Sequence, residues 1–392
     1  MALPPNVGGK TRISRATSVD SETSDNKRQR TESNTIQITF SQACYPKPAR
    51  EYVTLCGEDS VASRRWNKYA SLSVADGLGG INDGTFGTAV LAESLASNVL
   101  LASEQFENRT DAESMKETII DAYLDSTPIV NHYKGASTLA FGLIDLETGL
   151  LSTINLGDSA ILVIRNDTPV FKTRIFQHTF NTPGKLFYDP RLDMEPNFDN
   201  VAAELENIRA EYFQLQVGDI IVAGSDGLFD NAYDIEIIRT FQEMKRLFDN
   251  VTRSKQVEAN VLVRTLVEYT KANSHGDRNH TLSNWSSQRP FFKELEQFLA
   301  RCFQRPDLCS PSDLQRADAM SRYHEYGYMG GKEDDISIIV GIVTEYDGLY
   351  PREPVDTTTF CMKPDMNLIN LEMQESDDDD DDGLFKRLLE SN

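Results

Sequence analysis

The chain has 392 residues, 39% of them hydrophobic, and a formal net charge of −22, which suits one large domain with tails or two small domains. Eight of the negative charges fall in residues 372–382 with no base among them, leaving −14 on the remainder, so long-range attraction of nucleic acid is disfavoured. No uninterrupted apolar run approaches the ~18–20 residues of a membrane-spanning helix, and the chain reads as soluble.

Residues 1–35 are rich in Ser, Thr, Asn and charge and have little to bury, so they read as a disordered tail. Two addresses compete there. Lys10, Arg12 and Arg15 precede the first acid, as in a mitochondrial presequence, but Pro4-Pro5 and Gly8-Gly9 spoil a helix; Lys27-Arg28-Gln29-Arg30 is a short basic cluster of the nuclear-import kind. The balance favours nucleus or cytoplasm, with the mitochondrion as the alternative.

Strands are expected at 36–40, 52–55 and 69–75, and a helix at 86–101, where Phe86 and Val90, and Leu91, Leu95 and Val99, recur four apart. A second helix spans 112–132, broken near its end by Pro128. Strands around 137–145, 150–156 and 160–166 read as an antiparallel meander, and 212–223 as a strand pair turned at Val217-Gly218-Asp219. Residues 167–210 are irregular. Helices follow at 233–248, 256–272, 291–303 and 311–325, with a polar loop at 273–289 and a last strand from residue 336 to 343. There is no alternating strand-helix-strand rhythm, and Gly77-Leu78-Gly79-Gly80 lacks dinucleotide-fingerprint spacing. An α+β layered domain with largely antiparallel sheets is the expectation, occupying 36–347, with 348–392 as a C-terminal tail carrying the acidic run.

Four strand-like runs place an aspartate at one end with glycine nearby: Asp76-Gly77, Gly157-Asp158, Asp226-Gly227, and Asp334-Asp335 after Gly330-Gly331. Any one of these is first of all a turn. If the ends converge, the carboxylates repel unless a cation lies between them. The five cysteines are an odd, scattered set without a Cys-x-x-Cys pair, and the five histidines show no His-x-x-x-His spacing. That argues for free thiols in a reducing compartment, against structural zinc, and for a hard ion held by oxygen, Mg²⁺ or Mn²⁺.

In register along the chain, Gly57-Glu58-Asp59-Ser60, Ala75-Asp76-Gly77, Gly135-Ala136-Ser137-Thr138, Asn155-Leu156-Gly157-Asp158-Ser159, Ser225-Asp226-Gly227-Leu228-Phe229-Asp230 and Gly331-Lys332-Glu333-Asp334-Asp335-Ile336-Ser337 resemble the motifs of the metal-dependent serine/threonine protein phosphatases of the 2C class. The matches cover roughly residues 50–346. Finer ones, Val74 to Gly80 and Phe180-Asn181-Thr182-Pro183, resemble its mitochondrial-type branch. The resemblance implies a four-layer α/β/β/α sandwich with two antiparallel sheets and a metal cleft at one end.

It also implies two Mg²⁺ or Mn²⁺ ions. Asp76 would bridge them and the Gly77 carbonyl would bind one; Asp226 and Asp334 would complete the first, Glu58 and Asp59 the second, and Asp158 with Asp226 a weaker third. Asp230 and Asp335 read as neighbours that orient ligands, although Asp230 reads equally as a helix N-cap or a loop acid. The implied reaction is hydrolysis of phosphoserine and phosphothreonine by a water or hydroxide held between the ions, with phosphoprotein substrates, a monomeric enzyme, and no nucleic acid or membrane partner. Asp76, Asp226 and Asp334 would be its catalytic acids. Many members carry arginine and histidine where this chain has Thr54 and Leu78, which predicts a weaker grip on phosphate with metal binding kept. His178 reads as a packing or surface residue. The alternative is a phosphatase-like domain, weak or inactive, that serves as a binding module. The run Asp377 to Asp382 lacks the ligand spacing of a calcium loop and reads as a solvated tail.

Overall fold

The computed structural model describes residues 35–47, 56–79, 86–105, 110–130, 132–191, 203–206, 208, 210–248, 254–275, 289–325 and 331–362. The expected N-terminal tail, the strand at 52–55, Thr54 and the acidic run lie outside them.

Two six-stranded sheets carry the fold. The first runs β16 (Thr359–Cys361), β1 (Ile36–Tyr45), β14 (Ile336–Glu345), β13 (Ile220–Gly224), β7 (Ala160–Arg165), β8 (Thr168–Lys172). The second runs β12 (Glu211–Gln214), β6 (Leu150–Leu156), β5 (Leu139–Asp145), β3 (Tyr69–Ala75), β2 (Ser60–Trp66), β15 (Val355–Asp356). All pairings in both sheets are antiparallel except β1 with β16. Between the sheets lies a core that includes Ile38, Phe40, Leu72, Val74, Ile161 and Ile339.

Each sheet's outer face is covered by helices. Helices α1 (Phe86–Gln105) and α2 (Ala112–Val130) share a core with the second sheet. On the first sheet lie the short α3 (Asp226–Phe229), α4 (Asp234–Phe248) and α5 (Lys255–His275). Three apolar seams between four layers give the α/β/β/α sandwich. They also explain the continuous apolar runs: in β7, Ile161 and Val163 face the other sheet while Leu162 and Ile164 face helices, so both pleat faces are buried.

Several expectations need correction. The stretch 137–166 is no single meander. β5 pairs with β6, but β7 pairs with β13 and β8, so the chain changes sheets at Gly157-Asp158. The strands flanking Gly218 likewise lie in different sheets. No strand was expected at β2, where Arg64 pairs with Glu104 and Asp356 and Arg65 donates to the Ile38 carbonyl at 3.1 Å. Strand pairing continues past residue 347 into β15 and β16. Helix α2 continues through Pro128 to Val130.

Helix α1 is long and apolar enough by composition to cross a membrane, but 67% of that stretch is buried inside the protein. It is a core helix. Cys44 and Cys56 are disulfide-bonded, not free as expected, because β1 ends beside the turn before β2 and brings their Cα atoms to 5.2 Å. Helices α6 (Pro290–Gln304) and α7 (Pro311–Glu325) form their own apolar cluster, with Phe180 packed against it.

Candidate metal centre

Strand ends build the site. Asp76 follows β3, and its backbone is held from both sides: its N–H donates to Thr138 Oγ1 at 3.1 Å and its carbonyl accepts from Thr138 N–H at 2.8 Å. Gly77 then donates to the Glu58 carbonyl at 3.1 Å. A β-carbon at Gly77 would collide with that carbonyl and with Thr88, so only glycine lets the two segments approach this closely. Gly57, at φ 78°, turns the chain into Glu58, and any side chain there would run into the Asp335 carboxylate.

Asp158 sits where the chain leaves β6 for the other sheet. Asp226 opens α3 at the end of β13, and Asp334 and Asp335 precede β14. One oxygen from each of Asp76, Asp158 and Asp226 lies within 4.8 Å of the other two. Together with Glu58, Gly77 and Asp334 they line one cleft of about 510 Å³. Asp59, one residue beyond Glu58, lines a neighbouring pocket beside Gln42, Cys56 and Ser60 and is close enough to the same acids that its charge acts on Asp76 and those of Asp335, Asp334 and Asp226 act on it.

The electrostatics are those of crowded, dehydrated acids. Asp76 is 8% exposed, and burial first, then Asp226 and Asp59, push its carboxyl well above the usual range. Burial, then Asp335 and Asp334, does the same to Asp59. Burial and Asp226 raise Asp158 to about 6. Burial lifts Asp230 to about 8, against the pull of Lys332. Asp334 goes the other way: burial opposes ionisation, but Lys332 and Lys47 outweigh it.

Two lysines absent from the sequence-based site explain that reversal. Lys332 Nζ pairs with Asp226, with Asp230 at 3.0 Å and with Asp334 at 3.2 Å. Lys47 Nζ reaches Asp334 at 2.7 Å and Glu58 at 3.5 Å. Lys332 stood inside a matched motif, but Lys47 carried no local sign. Gln177, also missed, donates to Asp158 Oδ2 at 2.8 Å. Asp335 accepts from the Lys47 N–H at 2.7 Å and the Glu58 N–H at 2.9 Å and so pins both segments. Asp230 caps the C-terminal end of α3 through its backbone while its carboxylate holds Lys332. His178 lies outside the cleft, against Glu204 at 3.1 Å. Leu78 lines the cleft.

The donor set fits a hard divalent cation. Asp59 Oδ2 and Asp158 Oδ1 are buried oxygens without a hydrogen-bond partner, a costly arrangement that a cation would relieve. The donors are oxygen throughout, the preference of Mg²⁺ and Mn²⁺.

Residues 101–281 match the family described as Stage II sporulation protein E (SpoIIE). The chain is 30% identical over 298 residues to the Protein phosphatase PTC7 homolog fig of Drosophila virilis, covering 75% of this chain and 80% of that one. To the Protein phosphatase PTC7 homolog of Homo sapiens it is 27% identical over 294 residues, 74% of this chain and 80% of that one. Among solved structures, that of the photosystem II phosphatase PBCP superposes with a TM-score of 0.53 at 21% identity, covering 80% of this chain and all of that one, and shares the fold.

Proposed function

Because this chain belongs to the protein phosphatase 2C family, we propose that it hydrolyses phosphoserine and phosphothreonine in proteins, using two Mg²⁺ or Mn²⁺ ions held at the strand-end carboxylates. The observation that carries this reading is the convergence of Asp76, Asp158 and Asp226, from three separate strands, within 4.8 Å.

Asp76, the Gly77 carbonyl, Asp226 and Asp334 would hold one ion. Glu58 and Asp59 would complete a second beside Asp76, and Asp158 with Asp226 offers a weaker third place. Bound there, the ions would supply charge neutralisation of the phosphoryl group and a water acidic enough to attack near neutral pH. The remaining work belongs to the chain. Thr138 fixes the backbone of Asp76 so that its carboxylate does not swing. Asp335 ties the Glu58 segment to the start of β14, so acids distant in sequence keep their spacing. Lys332 pairs with Asp226, and Lys332 and Lys47 together hold Asp334 in its ionised, ligating form. Leu78 cannot transfer a proton, so the proton for the departing serine or threonine oxygen comes from water in the cleft.

The test is turnover of a phosphoserine peptide and of p-nitrophenyl phosphate with Mn²⁺, with EDTA, and with Asp76→Ala plus Mn²⁺. Hydrolysis in the first condition alone is the expected result. Equal rates in all three would sink the enzyme reading and leave a phosphatase-like binding module.

A further inference from the structure

The cleft holds four cations as well as its acids, and they differ in kind. Lys47 and Lys332 are committed to carboxylates. Lys185 and Arg316 line the same cleft, and among the described residues neither is paired with a carboxylate.

Arg316 comes from α7, whose Ala317 and Met320 are packed in the separate cluster with α6. Its Nε donates to the Phe180 carbonyl at 3.0 Å and its Nη2 to the Asn181 carbonyl at 2.7 Å. These bonds fix the plane of the guanidinium, and among the described residues no acceptor meets the Nη1 donors. Carbonyls satisfy its geometry but not its charge, and burial pulls the group below its usual value with nothing to offset it. A part-buried, aimed and unbalanced guanidinium at a cavity is completed by an anion. The reaction proposed above brings one, because a phosphomonoester is a dianion whose oxygens suit a planar fork of N–H donors.

We propose that Arg316, with Lys185 on the segment whose carbonyls it holds, receives the phosphoryl group of the substrate, so that the grip missing at Thr54 is supplied from helix α7. This rests on the phosphatase reading and adds to it the residue that binds the substrate's charge. The fork is delivered by two helices that contribute nothing to either sheet.

The experiment compares wild type, Arg316→Gln and Lys185→Met with Mn²⁺ present. Gln keeps an amide donor for the loop carbonyls and drops the charge. Competitive inhibition by inorganic phosphate is measured, together with KM for p-nitrophenyl phosphate and for two phosphopeptides, one flanked by acids and one by neutral residues. Arg316→Gln should weaken phosphate inhibition and raise all three KM values about tenfold or more, as expected for a charge-assisted bond; Lys185→Met should do so by a smaller factor. Mn²⁺ binding by calorimetry and the melting temperature should stay at wild-type values. Unchanged phosphate inhibition overturns the proposal. So does a KM effect confined to the acid-flanked peptide, which would make Arg316 a reader of flanking sequence, and so does a loss that tracks lower melting temperature or Mn²⁺ binding. Failure of the phosphatase reading is separable: it shows as absent turnover in wild type, while phosphate binding by calorimetry still reports on Arg316.

Discussion

Strand β13 has a buried aspartate at each end, and the two are treated in opposite ways. Asp219, before the strand, is fully buried and gripped by Arg165: Nε reaches one oxygen at 2.7 Å, Nη2 the other at 2.8 Å, and the Gln216 N–H adds a third bond at 2.8 Å. Asp226, beyond the other end of the five-residue strand, faces Asp76 and Asp158. Folding balances the first charge from within. At the second end five acids, Glu58, Asp76, Asp158, Asp226 and Asp334, share one cleft with Lys47 and Lys332, and the balance is left to something the chain does not encode. One end is stability; the other is a binding site held at a cost to stability.

The largest expected effect separates the ends by function. Asp226→Ala should cut Mn²⁺-dependent turnover by more than about 100-fold, the upper end of what losing an outer partner of a ligand costs, and abolish the rise in melting temperature with Mn²⁺. The metal-free protein should melt close to wild type, since Lys332 keeps Asp230 and Asp334 as partners and one repelling charge is gone. If EDTA-treated Asp226→Ala instead melts well below wild type, the acids are structural and the contrast breaks.

Next comes Arg165→Met, which should lower the free energy of unfolding by about 2–3 kcal/mol, below the range for a fully buried pair because the Arg165 side chain is 23% exposed. Urea denaturation reads this, and turnover per folded molecule should match wild type.

A third prediction uses protons to sharpen the contrast. Asp158 and Asp230 titrate near about 6 and about 8 in the fold, against 3.8 for a free carboxyl. The folded state therefore binds more protons than the unfolded chain across that window. The stability they contribute is fully present below about pH 4 and is lost as pH rises to about 8. Melting of the EDTA-treated protein should fall between pH 5 and 8, and the increment restored by Mn²⁺ should grow with pH as protons leave the ligands. Metal-free melting that climbs steadily over that range would count against it.

The smallest effect is expected at a surface pair. Asp356→Ala removes the partner of Arg64 that ties β15 to β2, yet Asp356 is 64% exposed, so unfolding should shift by less than about 1 kcal/mol. A larger loss would mean that the strands after residue 347 matter more to the fold than exposed ion pairs do.

The acids of the cleft were legible before any fold was known, because an aspartate beside glycine at the end of an apolar run is a local pattern, repeated four times. Lys47 and Arg316 were not: each sits in a segment whose spacing says nothing about what it will face.

Apolar runs and helical spacing determined, from sequence alone, where most strands and helices lie and that the acids stand at strand ends. Which sheet a strand joins is another matter. A hairpin turn and a turn between sheets leave the same local trace when both faces of each strand are buried, as in β6 and β7. Side-chain direction repeats every two residues and is fixed locally, whereas the partner across the gap is chosen by packing between distant segments. The Cys44–Cys56 bond, the change of sheet at Asp158 and the cations around the acids were therefore decided only by the tertiary structure.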